Sequence, residues 1–106
     1  MPWVYLVIAG LFEVVWAFSM KQSDGFTRPG PTIVTIAAMI ASFALLSLSM
    51  KSLPLGTAYT IWTGIGAVGA FLAGIAMLGE AASAMRIVAA LLIVAGLVLM
   101  KIATPA

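Results

Sequence analysis

One carboxyl stands out in this chain. Glu13 is the only acidic residue inside any of its hydrophobic stretches, in the middle of an otherwise uncharged run from Trp3 to Met20. The run is about 18 residues long, roughly the thickness of a bilayer's hydrocarbon core. A carboxylate at that depth costs roughly 2.5–3.5 kcal/mol on insertion scales. A lone intramembrane acid therefore reads as an ion or substrate site. The chemistry open to it is reversible proton binding and electrostatic capture of a cation. The competing reading is a structural acid bonded to another helix. No basic residue lies at matching depth to pair with it. Gly10, Glu13, Ala17 and Met20 fall at i, i+3, i+7 and i+10 and share one helix face, with Trp16 one turn beyond the acid. Small residues on that face permit close helix approach or leave room for a ligand.

Other polar and aromatic groups recur at helical spacing. Tyr59 and Trp62 lie one turn apart, with Gly66 and Gly69 on the same face. Aromatic rings attract a cation by about 0.5–2 kcal/mol. Their O–H and N–H groups are equally suited to orienting Glu13, and Trp62, which only donates, fits a carboxylate. The alternative is an interfacial aromatic belt. That suits Trp3 and Tyr5, at a segment end, better than Trp62, well inside one. Gly64, Gly66 and Gly69 mark a bend or a close helix contact. Met39, Ser42, Leu46 and Ser49 share another face, and Ser42 is its deepest hydroxyl. Two readings stay open for it: a bond to Glu13 or substrate, or a bond to its own helix backbone. Ala89 and Gly96, seven residues apart, fit a packing seam between helices. Lys101 closes the last segment, where snorkelling to the interface is the ordinary explanation. Asp24, Arg28, Glu80 and Arg86 read as solvated loop charges.

These groups are carried by four apolar segments, with helices expected at about 3–20, 32–50, 55–78 and 85–101. The stretch from Lys21 to Pro31, dense in Gly, Pro and charge, reads as a loop. Pro54 opens the third helix, Gly79-Glu80 ends it, and Ser83 is a candidate N-cap for the fourth. Lipid leaves only helices or closed barrels, and these lengths suit helices. The expected fold is an all-α integral membrane protein, one four-helix transmembrane domain spanning 1–106. Composition agrees. The chain is 64% apolar and 8% charged, against roughly 25% charged in soluble domains. It has no Cys and no His, which excludes disulfides, ordinary zinc sites and His-based catalysis. No cofactor is expected. No basic patch with interleaved aromatics points to nucleic acid, and no nucleophile–base pair points to an enzyme.

The loop charges nearly balance. With the N-terminus on one side, that side holds Lys51, Lys101 and the terminal amine, and the other holds Lys21, Arg28 and Arg86. The positive-inside rule needs an asymmetry to fix orientation, so this chain is suited to inserting both ways. Many transporters are two repeats of opposite topology around a midplane site. No repeat is evident within this chain, so an antiparallel homodimer would supply the second half. A weakly biased monomer or a parallel oligomer is the plainer alternative.

Together these residues resemble the small multidrug resistance family, and specifically its guanidinium exporter subtype. The likeness covers essentially the whole chain. It is carried by Ala9-Gly-Leu-Phe-Glu-Val-Val-Trp-Ala17, Leu53-Pro-Leu-Gly-Thr-Ala-Tyr-Thr-Ile-Trp-Thr-Gly-Ile-Gly66 and Leu78-Gly-Glu80. Gly10, Trp16 and Lys101 are similar to the guanidinium subtype in particular. The resemblance implies a multi-pass protein of the bacterial inner membrane, working as a dual-topology antiparallel homodimer that exchanges protons for a cation. It implies Glu13 as the shared proton and substrate site. Ser42, Tyr59, Trp62 and Trp16 would line it, Gly64 and Gly66 would bend the third helix, and Ala89 and Gly96 would pack the dimer. Ala89 departs from the Gly often found at its position in the family.

Two such carboxylates facing each other across a dimer would titrate as a unit. Guanidinium is planar and permanently charged, with N–H donors that fit carboxylates, so protons and guanidinium would compete for one site. The rival substrates are bulky quaternary ammonium compounds, as in a multidrug exporter, which lack N–H donors and rely on aromatic contacts. Rivals of another class are a proton-carrying rotor or channel subunit and a non-transporting partner subunit.

Overall fold

A computed structural model describes residues 2–104 of the chain. Four helices follow one another: α1 Pro2–Gln22, α2 Pro29–Ser49, α3 Leu55–Leu78 and α4 Ala84–Ala103. Their lengths are 21, 21, 24 and 20 residues. At about 1.5 Å per residue each covers roughly 30 Å, enough to cross a bilayer.

Local chemistry sets the ends. α2 begins at Pro29, three residues before the expected Thr32, because proline is favoured in a helix's first turn, where no N–H partner exists. The Pro-Gly-Pro run expected in a loop is therefore helical. α1 likewise runs two residues past Met20, to Gln22. The turn after it is tied by Ser23, whose hydroxyl donates to the Met20 carbonyl at 2.7 Å and accepts from the Phe26 N–H at 3.1 Å. α3 stops at Gly79, which takes the left-handed conformation at φ 68°, where glycine carries no Cβ penalty. Ser83 caps α4, its hydroxyl accepting from the Arg86 N–H at 3.3 Å.

The four helices are the expected ones, and they pack as a layer. α1 lies between α2 and α3, whereas the backbone of α4 packs against α3 alone. The molecule is a slab of 43 × 34 × 16 Å. Its thin dimension is not much more than the roughly 10–12 Å diameter of one helix. The core is consequently small: Leu6, Ala9, Leu46, Leu53, Ala58, Ile61 and Trp62 cluster between α1, α2 and α3. No residue of α4 is buried. In lipid an apolar helix face needs no protein cover, so tight contact must come from shape and small residues rather than from hydrophobic burial.

Candidate functional site

α1 and α3 approach each other through glycines on both sides. A Cβ on Gly10 would overlap the side chain of Ile65, and a Cβ on Gly66 would overlap the carboxylate of Glu13. Each helix thus accepts a side chain of the other where it has none of its own. Glu13 is half-buried there. Its Oε1 is buried and has no hydrogen-bond partner among the described residues. Most buried polar groups in proteins are satisfied, and each exception calls for a reason. A carboxylate oxygen held this way near the middle of a spanning helix is set up to accept a proton or an N–H donor.

Ser42 organises the neighbouring polar link. Its hydroxyl, fully buried, donates to the Ala9 carbonyl of α1 at 2.7 Å. It also accepts from the Trp62 indole N–H at 2.9 Å. Three helices are joined through one oxygen. The other buried hydroxyls of α2 behave differently: Thr35 donates to Pro31 and Ser49 to Leu46, each within its own helix or its first turn. Ser42 therefore bonds neither its own backbone nor Glu13. Among the described residues no hydroxyl or indole N–H donates to Glu13. Replacing Ser42 by Ala leaves the buried Trp62 N–H without its acceptor. The expected loss is about 1 kcal/mol, read as a lower thermal midpoint in detergent.

The aromatic residues form a short ladder. Trp62 sits 5.6 Å from the Tyr59 ring and 5.8 Å from the Phe43 ring, centroid to centroid, in tilted geometry. Trp62 is buried, but Tyr59 is exposed and lines a cleft between α3 and α4 with Gly64 and Gly96. Trp16 is half-buried against the core, and its indole N–H, like that of Trp3, is buried without a partner among the described residues. Gly64 takes the side chain of Leu97 from α4, where a Cβ would collide with it. α3 runs unbroken through Gly64 and Gly66, so both glycines serve close approach in this conformation. Ala89 and Gly96 are exposed on α4. The Lys101 ammonium lies over the Trp3 ring, 4.7 Å from its centroid.

Three features escaped sequence reasoning. Phe43 showed no signal beyond an apolar position. The Lys101–Trp3 contact joins two residues read separately as interfacial anchors, although both lie at the same end of the molecule. Glu80 and Arg86 are not independently solvated: they pair at 3.8 Å, each still about two-fifths exposed.

The fold and site define a class: a multi-pass membrane protein of four apolar helices, the first carrying a buried carboxylate oxygen that has no partner among the described residues. Comparison with known proteins narrows it. The family model described as Small Multidrug Resistance protein matches residues 1–102. The chain is 58% identical over 104 residues to a guanidinium exporter from Citrobacter freundii, covering 98% of this chain and 99% of the relative. It is 56% identical over 104 residues, with the same coverage, to one from Escherichia coli strain K12. The chain belongs to the small multidrug resistance family. Its four apolar helices and that membership place it in the bacterial inner membrane.

Proposed function

We propose that this protein exports guanidinium, and small guanidinyl cations, in exchange for protons, with both competing for Glu13. The observation that carries this reading is the Oε1 of Glu13, without a partner among the described residues and held against Gly66 within a spanning helix. Guanidinium presents planar N–H donors that fit a carboxylate bidentately, and the nearby hydroxyl–indole link holds the surrounding helices in register. The similarity to relatives named guanidinium exporters supports the same substrate.

The functional unit in this reading is an antiparallel homodimer. A slab 16 Å thick gives a small cation little cover between its own helices, which supports a second copy completing the site. A second copy laid against it would close a chamber around two Glu13 side chains. The near balance of positive charge between the two ends permits both orientations. α4, with no buried residue, would pack against its counterpart along Ala89 and Gly96. Gly10, Trp16, Ser42, Tyr59 and Trp62 would line or brace the chamber, and a bend of α3 at Gly64 and Gly66 would accompany alternation between its two openings. When protons occupy the carboxylates, substrate leaves; when they depart, substrate binds. That competition, coupled to alternating access, is sufficient for antiport.

The test is transport by purified protein in liposomes, recorded as substrate-evoked currents. Guanidinium is expected to give a saturable current whose KM rises as pH falls, because protons displace substrate from the same oxygens. Tetraethylammonium is expected to give none. A current with tetraethylammonium alone would assign the protein to multidrug export. Silence with both would sink the self-sufficient exporter.

A further inference from the structure

A cleft of about 300 Å³ lies between α1 and α3 on the side of Arg86. Its inner end is formed by Ala17, one turn from Glu13 on the same face of α1, and by Ala67, next to Gly66 on α3. Its outer end is formed by Phe71, Glu80 and Arg86, where α3 stops and α4 begins. A water occupies about 30 Å³, so the cleft has room for a small cation with part of its hydration shell. It leads from the surface end of the helices to the residues that flank Glu13.

The outer end already holds a guanidinium group, the side chain of Arg86. One of its nitrogens faces the Glu80 carboxylate at 3.8 Å, and another donates to the Ala81 carbonyl. The group stands over the Phe71 ring, 5.0 Å from its centroid. A carboxylate, a carbonyl and an aromatic face are what a planar cation with N–H donors requires. The Glu80 carboxylate is seated where a Cβ on Gly74 would overlap it, so the glycine sets the place of the anion. Lys21 also lines the cleft. The outer end thus carries two cations and one anion, and a free cation is accepted there only when Arg86 gives way.

We infer that the Phe71–Glu80 end of this cleft is a second guanidinium-recognition site, on the path between the surface and Glu13. Arg86 is its resident occupant, displaced by incoming substrate. The inference rests on the reading that Glu13 binds a guanidinium-type cation. It differs from a purely structural Glu80–Arg86 latch in the sign of its consequences. Removing Arg86 frees Glu80 and Phe71 for substrate, whereas removing Glu80 takes the anion away. A latch is broken alike by either change.

The experiment is liposome transport with guanidinium as the probe, comparing Arg86→Gln and Glu80→Gln with the unaltered protein. Arg86→Gln is expected to lower KM and Glu80→Gln to raise it, each by about two- to fivefold, the scale of one exposed ion pair. Turnover at saturation is expected to change less than KM. Shifts of KM in the same direction, or none in either variant, would overturn the inference. A second measurement does not depend on transport. In detergent-solubilised Glu13→Gln protein, the Arg86 side-chain N–H signal in NMR is followed as guanidinium chloride is added, against sodium chloride at equal ionic strength. A saturable shift with guanidinium alone supports the site, and its absence overturns it, even if the unaltered protein carries no guanidinium current and export itself fails.

Discussion

Glu13→Gln is expected to abolish guanidinium-evoked current while leaving a folded protein. Glutamine keeps the length and nearly the shape of the side chain, so the fit against Gly66 is retained. What it removes is the negative charge and the exchangeable proton. A neutral amide offers a guanidinium no charge-assisted bond, and such bonds are roughly twice as strong as neutral ones. It also cannot release a proton to drive exchange. The thermal midpoint should be unchanged or higher, because Glu13 contributes no hydrogen bond among the described residues and a buried carboxylate is itself costly in a membrane. Currents at or near the unaltered level would remove Glu13 from the transport site. Loss of current with loss of the folded species on size-exclusion chromatography would make it a structural acid instead.

Gly66→Ala is the second large effect, and it acts on the same carboxylate from the other helix. The added methyl falls on the Glu13 side chain, so either Glu13 swings away or α1 and α3 separate. Separation is opposed by the reciprocal contact of Ile65 in the hollow at Gly10. Overpacking of this kind costs roughly 1–3 kcal/mol. If displacement of Glu13 absorbs it, guanidinium affinity falls by about 5- to 150-fold at about 1.4 kcal/mol per decade. Gly56→Ala is the matched control. It lies in the first turn of the same helix with nothing within 4 Å of the added atom. Guanidinium KM should rise steeply in the first variant and stay unchanged in the second. Equal KM values in the two would show that Gly66 does not set the position of the acid.

The Ser42 result adds a contrast in kind. Ser42→Ala should be felt first in stability, since its oxygen joins α1, α2 and α3 and makes no hydrogen bond to Glu13. A loss of transport at unchanged thermal midpoint would mean that the serine meets substrate directly.

The sequence by itself determined the solvent and the elements. Four apolar segments of about 20 residues, with almost no charge inside them, have the length of spanning helices rather than of barrel strands, and a helix satisfies every backbone N–H and C=O within its own segment. It also singled out Glu13, because one carboxyl in an apolar run is conspicuous without any knowledge of its neighbours. The motifs around it were enough to indicate the family. Helix ends were legible where the cap is local, as at Ser83 and Gly79, and were missed at Pro29, where proline is compatible with both a loop and a first helical turn.

Tertiary structure decided everything that depends on which faces meet. The pattern of a membrane helix is apolar all round, so it carries little information about its inward side. Only the packing shows that the Gly66 hollow receives Glu13, that Ser42 reaches Ala9 and Trp62, and that the backbone of α4 packs against α3 alone. The Glu80–Arg86–Phe71 cluster is likewise invisible in sequence. Its members lie 6 to 15 positions apart across a helix end, and only the path of the chain after Gly79 brings a carboxylate, a guanidinium and a ring to one place. Periodicity reports what a residue's own helix does with it; the partner across the gap is set by how two helices approach, and no local pattern encodes that.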